Sequence, residues 1–182
     1  NDKLKTAHFL AGRGVPVPVT FDGTVPKETI SSRLGFPMLS KPCFGRGGRG
    51  VTIYRSPQDL YREDRESQIF QEFIPGEEFD VNLFIDKNGE VLASVVLKKT
   101  LLKEGIVGNA LEVKRVERED VADLSIRTAK LLNMEGPVDL DVRLREDGTP
   151  VILEVNARVG GNVLFAREIL DSLTTAWKRR SE

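Results

Sequence analysis

Two runs near the C-terminal end of the sequence, PVDLDVRLR (residues 137–145) and TPVILEVNAR (residues 149–158), restrict the fold more than any other feature. Apolar and polar residues alternate in them with the period of two of a half-buried β-strand. Taking Asp147-Gly148 between them as the centre of a type I′ turn sets Glu146 opposite Thr149. Counting outwards puts Asp141 opposite Glu154 and Asp139 opposite Asn156. One face then carries Asp139, Asp141, Glu154 and Asn156. The other carries Val138, Leu140, Val142, Leu144, Val151, Leu153 and Val155. A slip of one residue would mix the two sets, so the hydrophobic pattern supports this register.

Facing carboxylates sit ~4.5–5.5 Å apart at Cβ and repel unless something neutralises them. An oxygen-rich, thiol-free set suits a hard cation, Mg²⁺ or Mn²⁺. Asp141, Glu154 and Asn156 are the candidate metal ligands, with Asp139 beside them. The competing reading is a solvated acidic face on a surface hairpin.

The stretch KPCFGRGGRGV (residues 41–51) contains Gly45-x-Gly47-x-x-Gly50. A dinucleotide-binding loop must run from a strand into a helix, whose N-terminus carries the pyrophosphate. Gly50 is followed instead by the β-branched run Val51-Thr52-Ile53, which favours a strand. Protein kinases do place a glycine loop between strands, but their lysine lies downstream and their HRD and DFG signatures are absent here. Two readings remain. One is a strand–loop–strand hairpin whose backbone N–H groups approach phosphates, with Lys41 at its base. The other is a flexible hairpin tip with mobile charges at Arg46 and Arg49.

The balance of charges excludes other classes. A formal net charge of −1 gives no long-range attraction to nucleic acid or membrane surfaces. No apolar run approaches the ~20 residues of a membrane helix. The lone Cys43 permits no internal disulfide and suits a reducing, cytoplasmic setting. The chain opens on Asn1, which points to a fragment of a longer protein.

Along the chain, Asp2 caps a helix over roughly 3–13 closed by Gly14, and Pro26 opens a second helix ended by Gly35. FPMLSKP, VTIY and QIFQEFI read as strands, with a short polar helix after Ser56-Pro57. Beyond Pro75-Gly76, FDVNLFID and EVLASVVLK form a hairpin around Asn88-Gly89. ALEVKRV is a strand, REDVADLSIRTAKLLNM has helical spacing, and VLFAREILDSLTTAWK reads as a closing helix in which Trp177 is a packing residue. The expected class is α+β with mostly antiparallel strands in two lobes: 1–70 with the glycine-rich loop, and 71–182 with the metal-binding strands.

Taken in order, these motifs resemble the ATP-grasp superfamily, in particular its carbamoyl-phosphate-synthase-like and carboxylate–amine ligase branch. The resemblance covers nearly the whole chain. Lys3 and Lys41 match the two phosphate-contacting lysines. FGRGGRGV matches the flexible loop over the β- and γ-phosphates, with Gly45, Gly47 and Gly48 against the nucleotide. QEFIPGEEF matches the segment joining the lobes. There the resemblance implies that Gln71 and Glu72 lie near the adenine amino group, that the backbone at Phe73 and Ile74 reads the ring edge, and that Glu78 takes the ribose hydroxyls. Asp141, Glu154 and Asn156 match the metal ligands. Arg158 resembles the arginine near the transferred phosphate or the acyl substrate, and Lys99 corresponds to basic residues that touch the γ-phosphate.

The fold so implied has two α+β lobes clamping the nucleotide. The implied activity is transfer of the ATP γ-phosphate to a small carboxylate, giving an acylphosphate that an amine or ammonia attacks. ATP with Mg²⁺ or Mn²⁺ would be bound, a homodimer is the candidate assembly, and nucleic acid and membrane are not expected partners. Such chemistry needs positioning and charge neutralisation more than a nucleophilic side chain. The Rossmann-like lobe that precedes ATP-grasp domains is not in this sequence. A phosphotransferase stopping at the phosphorylated product, and a nucleotide-binding module without turnover, are the alternatives. His8 and Cys43 show no activating neighbour in the sequence and are not expected to do chemistry.

Overall fold

A computed structural model describes residues 2–45, 50–60, 67–103, 105, 106, 108 and 110–181. The chain divides into two compact units, Asn1–Pro75 with Leu102–Asn109, and Gly76–Leu101 with Ala110–Glu182. The class is α+β, and the two sheets are built mostly of antiparallel pairs.

The first unit begins with α1 (Lys3–Ala11), whose first turn is capped by Asp2: its Oδ1 accepts from Lys5 N at 2.9 Å. There follow β1 (Thr20–Asp22), α2 (Lys27–Leu34), β2 (Met38–Pro42), β3 (Thr52–Tyr54), α3 (Pro57–Leu60) and β4 (Gln68–Glu72). The sheet order is β1-β4-β2-β3. Ile30 from α2, Leu60 from α3, and Met38, Tyr54 and Phe70 from the sheet form the core. Ser40 is also buried there, and its hydroxyl shares a 3.0 Å hydrogen bond with that of Tyr54, so no polar atom of the pair is stranded. β2 pairs antiparallel with β3, Met38 against Tyr54 and Ser40 against Thr52. The glycine stretch therefore runs from strand to strand. Its central residues, Arg46, Gly47, Gly48 and Arg49, lie outside the described residues.

The second unit contains β5 (Glu78–Ile85), β6 (Val91–Leu102), β7 (Ala110–Val116), α4 (Glu119–Leu131), β8 (Gly136–Leu144), β9 (Pro150–Asn156) and α5 (Arg167–Ser181), with a single 3₁₀ turn at Val163–Phe165. The expected closing helix is thus broken at Ala166, and Trp177, expected to pack, is 73% exposed. The strands form a sheet in the order β7-β6-β5-β8-β9. One face holds Phe79, Val81 and Leu83 of β5 with Val138, Leu140 and Val142 of β8, all buried, and α4 packs against β5, β8 and β9. The other face is divided. At one end Phe84, Val95 and Leu97 meet Ala166 and Ile169 below α5. At the other end the residues are polar.

Both hairpins turn differently from the two-residue expectation. Arg145 N donates to Thr149 O at 2.9 Å and Gly148 N to Arg145 O at 3.0 Å, leaving the three residues 146–148 in the loop. Asp86 N likewise donates to Glu90 O at 2.9 Å, and Gly89 N to Asp86 O at 3.0 Å. Gly89 and Gly148 have φ of 80° and 84°, the left-handed conformation that ends a three-residue loop of this kind. In β8–β9 the longer loop pairs Leu144 with Pro150, one residue away from the counted register. A β-bulge between Asp141 and Val142 then restores it, so that Asp141 faces Glu154 and Asp139 faces Asn156. Leu153 is the extra residue. Ile152 replaces it opposite Val142 on the apolar face, and Val151 lies opposite Arg143.

Candidate functional site

Alternation along β5 sends Glu78, Asp80 and Asn82 to the polar end of the divided face, between the buried Phe79, Val81 and Leu83. Cross-strand pairing brings each to a partner on β8: Glu78 opposite Arg143, Asp80 opposite Asp141, Asn82 opposite Asp139. β9 extends the row with Glu154 beside Asp141 and Asn156 beside Asp139. Three adjacent strands therefore present one contiguous polar surface.

Cations thread it. Lys99 of β6 lies 2.6 Å from Glu78 Oε1 and 2.5 Å from Asp141 Oδ1, with its side chain 7% exposed. Arg143 Nε donates to Glu78 Oε2 at 2.7 Å. Burial alone would depress the Lys99 amine; the carboxylates of Asp141 and Glu78 more than reverse this and hold it charged, above its usual range. Lys99 thus belongs to β6 and to this network. Glu78, matched by resemblance to a ribose contact, has both oxygens engaged by these two cations.

Asp139 behaves differently. Burial first, and then the neighbouring Asp141 and Asp80, push its carboxyl up to about 9. Arg158 opposes this from 3.1 Å, but its side chain is half exposed and water weakens its pull, so the raised value prevails. Arg158 itself follows β9 in a tight turn: its backbone N donates to Asn156 O and its guanidinium to Val159 O, both at 2.9 Å.

The residues expected as ligands, Asp141, Glu154 and Asn156, lie on adjacent strands on one face of the sheet. No group of three His, Cys, Asp or Glu side chains converges as a metal cage among the described residues. Two carboxylates and an amide share one face of β8 and β9, a donor set that suits a hard cation completing its shell with phosphate and water rather than one enclosed by protein. The ammonium of Lys99 against Asp141 is a stand-in of the same charge sign, so the donor chemistry fits a cation.

In the first unit, Lys3 is buried and its Nζ donates to Gly45 O at 2.9 Å, tying α1 to the start of the glycine stretch. Lys41 lies on β2 opposite Ile69 and is half-buried. Gln71 is the residue expected near the adenine amino group. It is buried, and its Nε2 donates to Thr20 Oγ1 at 2.7 Å, so its carboxamide is committed to the interior of this unit. Glu72 Oε2 accepts from Val19 N at 3.2 Å, Phe73 is half-buried and Ile74 is buried. His8 contacts the carbonyl of Thr20 through Nε2 at 3.2 Å, and Cys43 Sγ donates to Asp2 Oδ1 at 3.3 Å. Both have local structural partners.

The reading of the sequence missed Asp80, Asn82, Arg143 and Asn162, whose Nδ2 donates to Asp80 Oδ2 at 2.6 Å. The first two were findable, because Glu78, Asp80 and Asn82 alternate with Phe79, Val81 and Leu83 as clearly as the β8 residues do. Arg143 continues the β8 alternation; Asn162 lies on an irregular segment with no periodicity to expose it.

A family profile described as "ATP-grasp domain" matches residues 1–162. A carbamoyl-phosphate synthase from Methanobrevibacter smithii is 28% identical over 173 residues, covering 88% of this chain and 46% of that protein. The chain therefore spans about half the length of that curated relative. Among solved structures, an L-amino acid ligase from Bacillus licheniformis superposes with a TM-score of 0.68 at 23% identity, over 90% of this chain and 41% of the other. The biotin carboxylase domain dimer of Hydrogenobacter thermophilus 2-oxoglutarate carboxylase, in complex with MgADP, ADP and bicarbonate, gives 0.72 at 21% identity, over 90% and 41%. At these identities the likeness is one of fold.

Proposed function

The chain belongs to the ATP-grasp domain family, and on that premise we propose that it binds Mg-ATP within an ADP-forming ligase that activates a small carboxylate for attack by an amine or ammonia. In that reaction the bond from the γ-phosphorus to the ADP oxygen breaks as one to the carboxylate oxygen forms. The nitrogen nucleophile then adds to the acyl carbon, and phosphate leaves with a proton released from nitrogen. The observation that carries the proposal is the facing of Asp141 with Glu154 and of Asp139 with Asn156 beside a buried cationic Lys99.

Each group has a part in this reading. Asp141, Glu154 and Asn156 would hold a magnesium ion, which when bound neutralises phosphate charge. Lys3 and Lys41 would supply point charges to the phosphates, and the glycine stretch its backbone N–H groups. Lys99 would meet the γ-phosphate from its place against Asp141, and Arg158, half exposed, would meet the acceptor carboxylate or the phosphate in transfer. Exclusion of water would protect the acylphosphate. The reducing, cytoplasmic setting inferred from Cys43 suits this chemistry, and no helix among the described residues is long and apolar enough to cross a membrane.

The test is calorimetric titration of Mg-ATP into the wild-type chain and into Glu154→Ala, with ADP release followed in parallel. We expect the variant to bind Mg-ATP roughly 10–100-fold more weakly. Unchanged affinity and unchanged hydrolysis would remove the metal assignment. Within the full-length protein, ADP release that needs the carboxylate and is indifferent to every amine would assign a phosphotransferase instead.

A further inference from the structure

The segment from Ala157 to Asn162 leaves β9 without regular structure, yet it carries Arg158. Its far end is fastened by side chains that the reaction outlined above does not use. Asn162 Nδ2 donates to Asp80 Oδ2 at 2.6 Å, across a sequence separation of 82 residues. Asn82 Nδ2 donates to the other oxygen, Asp80 Oδ1, at 2.7 Å. Asp80 and Asn82 are 3% and 1% exposed, so this is an interior arrangement and not a surface contact.

Two details show that it is held at a cost. Asn82 Oδ1 is buried without a hydrogen-bond partner, so its loss of water is uncompensated. Turning the amide over would satisfy that oxygen no better and would point it at the Asp80 carboxylate, so Asp80 dictates the orientation. The orphaned oxygen faces Gly160, where an added Cβ would lie 2.4 Å from it and 3.1 Å from Asp139 Oδ1. Only a glycine lets the segment lie this close to the sheet. A buried unsatisfied atom kept beside a required glycine marks a position maintained for something other than stability.

Resting on the ligase reading, we propose that Asp80 and Asn162 form a latch, with Asn82 orienting Asp80 and Gly160 permitting the approach, that positions Arg158. The segment is fixed at three points. Arg158 N bonds Asn156 O at its start, the Arg158 guanidinium meets Asp139 at 3.1 Å, and Asn162 meets Asp80 at its end. Releasing the last leaves the arginine on a strand end tethered from one side. Asp80, Asn82, Gly160 and Asn162 are positioning residues, since they act through Arg158.

A charge exchange tests the latch. Asn162→Asp places two carboxylates against each other and should expel the segment. Combining Asp80→Asn with Asn162→Asp restores both bonds with polarity reversed. The amide introduced on β5 donates to the carboxylate introduced on the segment, and the oxygen of that amide still accepts from Asn82. Amide exchange over residues 158–163 of the whole chain is read by mass spectrometry, alongside ADP release with Mg-ATP. We expect N162D to speed exchange there by roughly tenfold or more and to lower ADP release with little change in Mg-ATP affinity. The double variant should return both to within about twofold of wild type. Wild-type exchange in N162D, or a double variant as impaired as the single, overturns the proposal. Should N162D fail to fold, the double variant decides: wild-type behaviour sustains the latch, and failure of both removes it. If the wild-type chain does not bind Mg-ATP, the ligase reading falls, while the exchange measurement still judges the latch.

Discussion

Lys99 Nζ lies 2.5 Å from Asp141 Oδ1, with the lysine side chain 7% exposed and the aspartate 26%. The ammonium therefore takes one oxygen of a carboxylate proposed to hold metal, and the two cations would compete for it. Lys99→Met should lower stability by on the order of 2 kcal/mol in urea denaturation, less than for a fully enclosed pair because Asp141 reaches solvent and Arg143 still serves Glu78. The same variant should bind Mn²⁺ several-fold more tightly in the absence of nucleotide. An Mn²⁺ affinity that falls or stays level in calorimetry would show that the ammonium does not occupy a cation position.

Asp139 links stability to pH in the metal-free protein. Its folded carboxyl is raised to about 9 from an ordinary 3.8, so between those values the native state holds a proton that the unfolded chain has lost. Stability from this group is complete below the lower value and drains away as pH climbs through the upper one. Asp139→Asn keeps the neutral form throughout. Its stability relative to wild type should rise steadily from pH 4 to pH 9 in chelator-containing buffer, measured by chemical denaturation. A difference independent of pH would contradict the assignment.

Lys41 separates binding from folding. It is half-buried at the end of β2, outside the core of Ile30, Met38, Tyr54, Leu60 and Phe70. Lys41→Ala should leave the fold within about 0.5 kcal/mol of wild type and weaken Mg-ATP binding roughly tenfold. Unaltered affinity in calorimetry would take Lys41 out of the site.

Gly76 is a packing glycine. A Cβ there would meet Leu144 O at 2.2 Å, the same oxygen to which Gly76 N donates at 3.0 Å. Gly76→Ala should destabilise by about 2–4 kcal/mol, because backbone and not a flexible side chain must yield. Gly161→Ala, where the added carbon meets open space, is the matched control and should shift the melting temperature little.

The period of two was enough to read the carboxylate face, because burial enforces it: Val138, Leu140 and Val142 are each at most 1% exposed. The turn was not legible. Asp-Gly suits both two- and three-residue loops, and nothing in VILEV distinguishes Ile152 from Leu153 as the residue to bulge. Two errors of one residue cancelled, which is why the counted pairing of Asp141 with Glu154 agrees with the structure. Gln71 shows what motif matching leaves out. Its position in the chain fits the family pattern, but Thr20 lies across β1 and β4 as its direct partner, a tertiary fact no local window contains. Lys99 shows the same limit, since its two carboxylates come from β5 and β8.

The cancelling pair in the β8–β9 hairpin has a consequence for how such a chain can vary in length. Leu153 has no partner across the strands, so its loss would straighten β9 and leave Asp141 opposite Glu154, and losing one residue of the 146–148 loop would keep Arg145 and Thr149 as the closing pair. Removing a paired residue is different: without Val155, which lies opposite Leu140, Asn156 would turn away from Asp139. Changes of length in this ribbon should therefore be tolerated at the tip and at the bulge and excluded between the acidic residues.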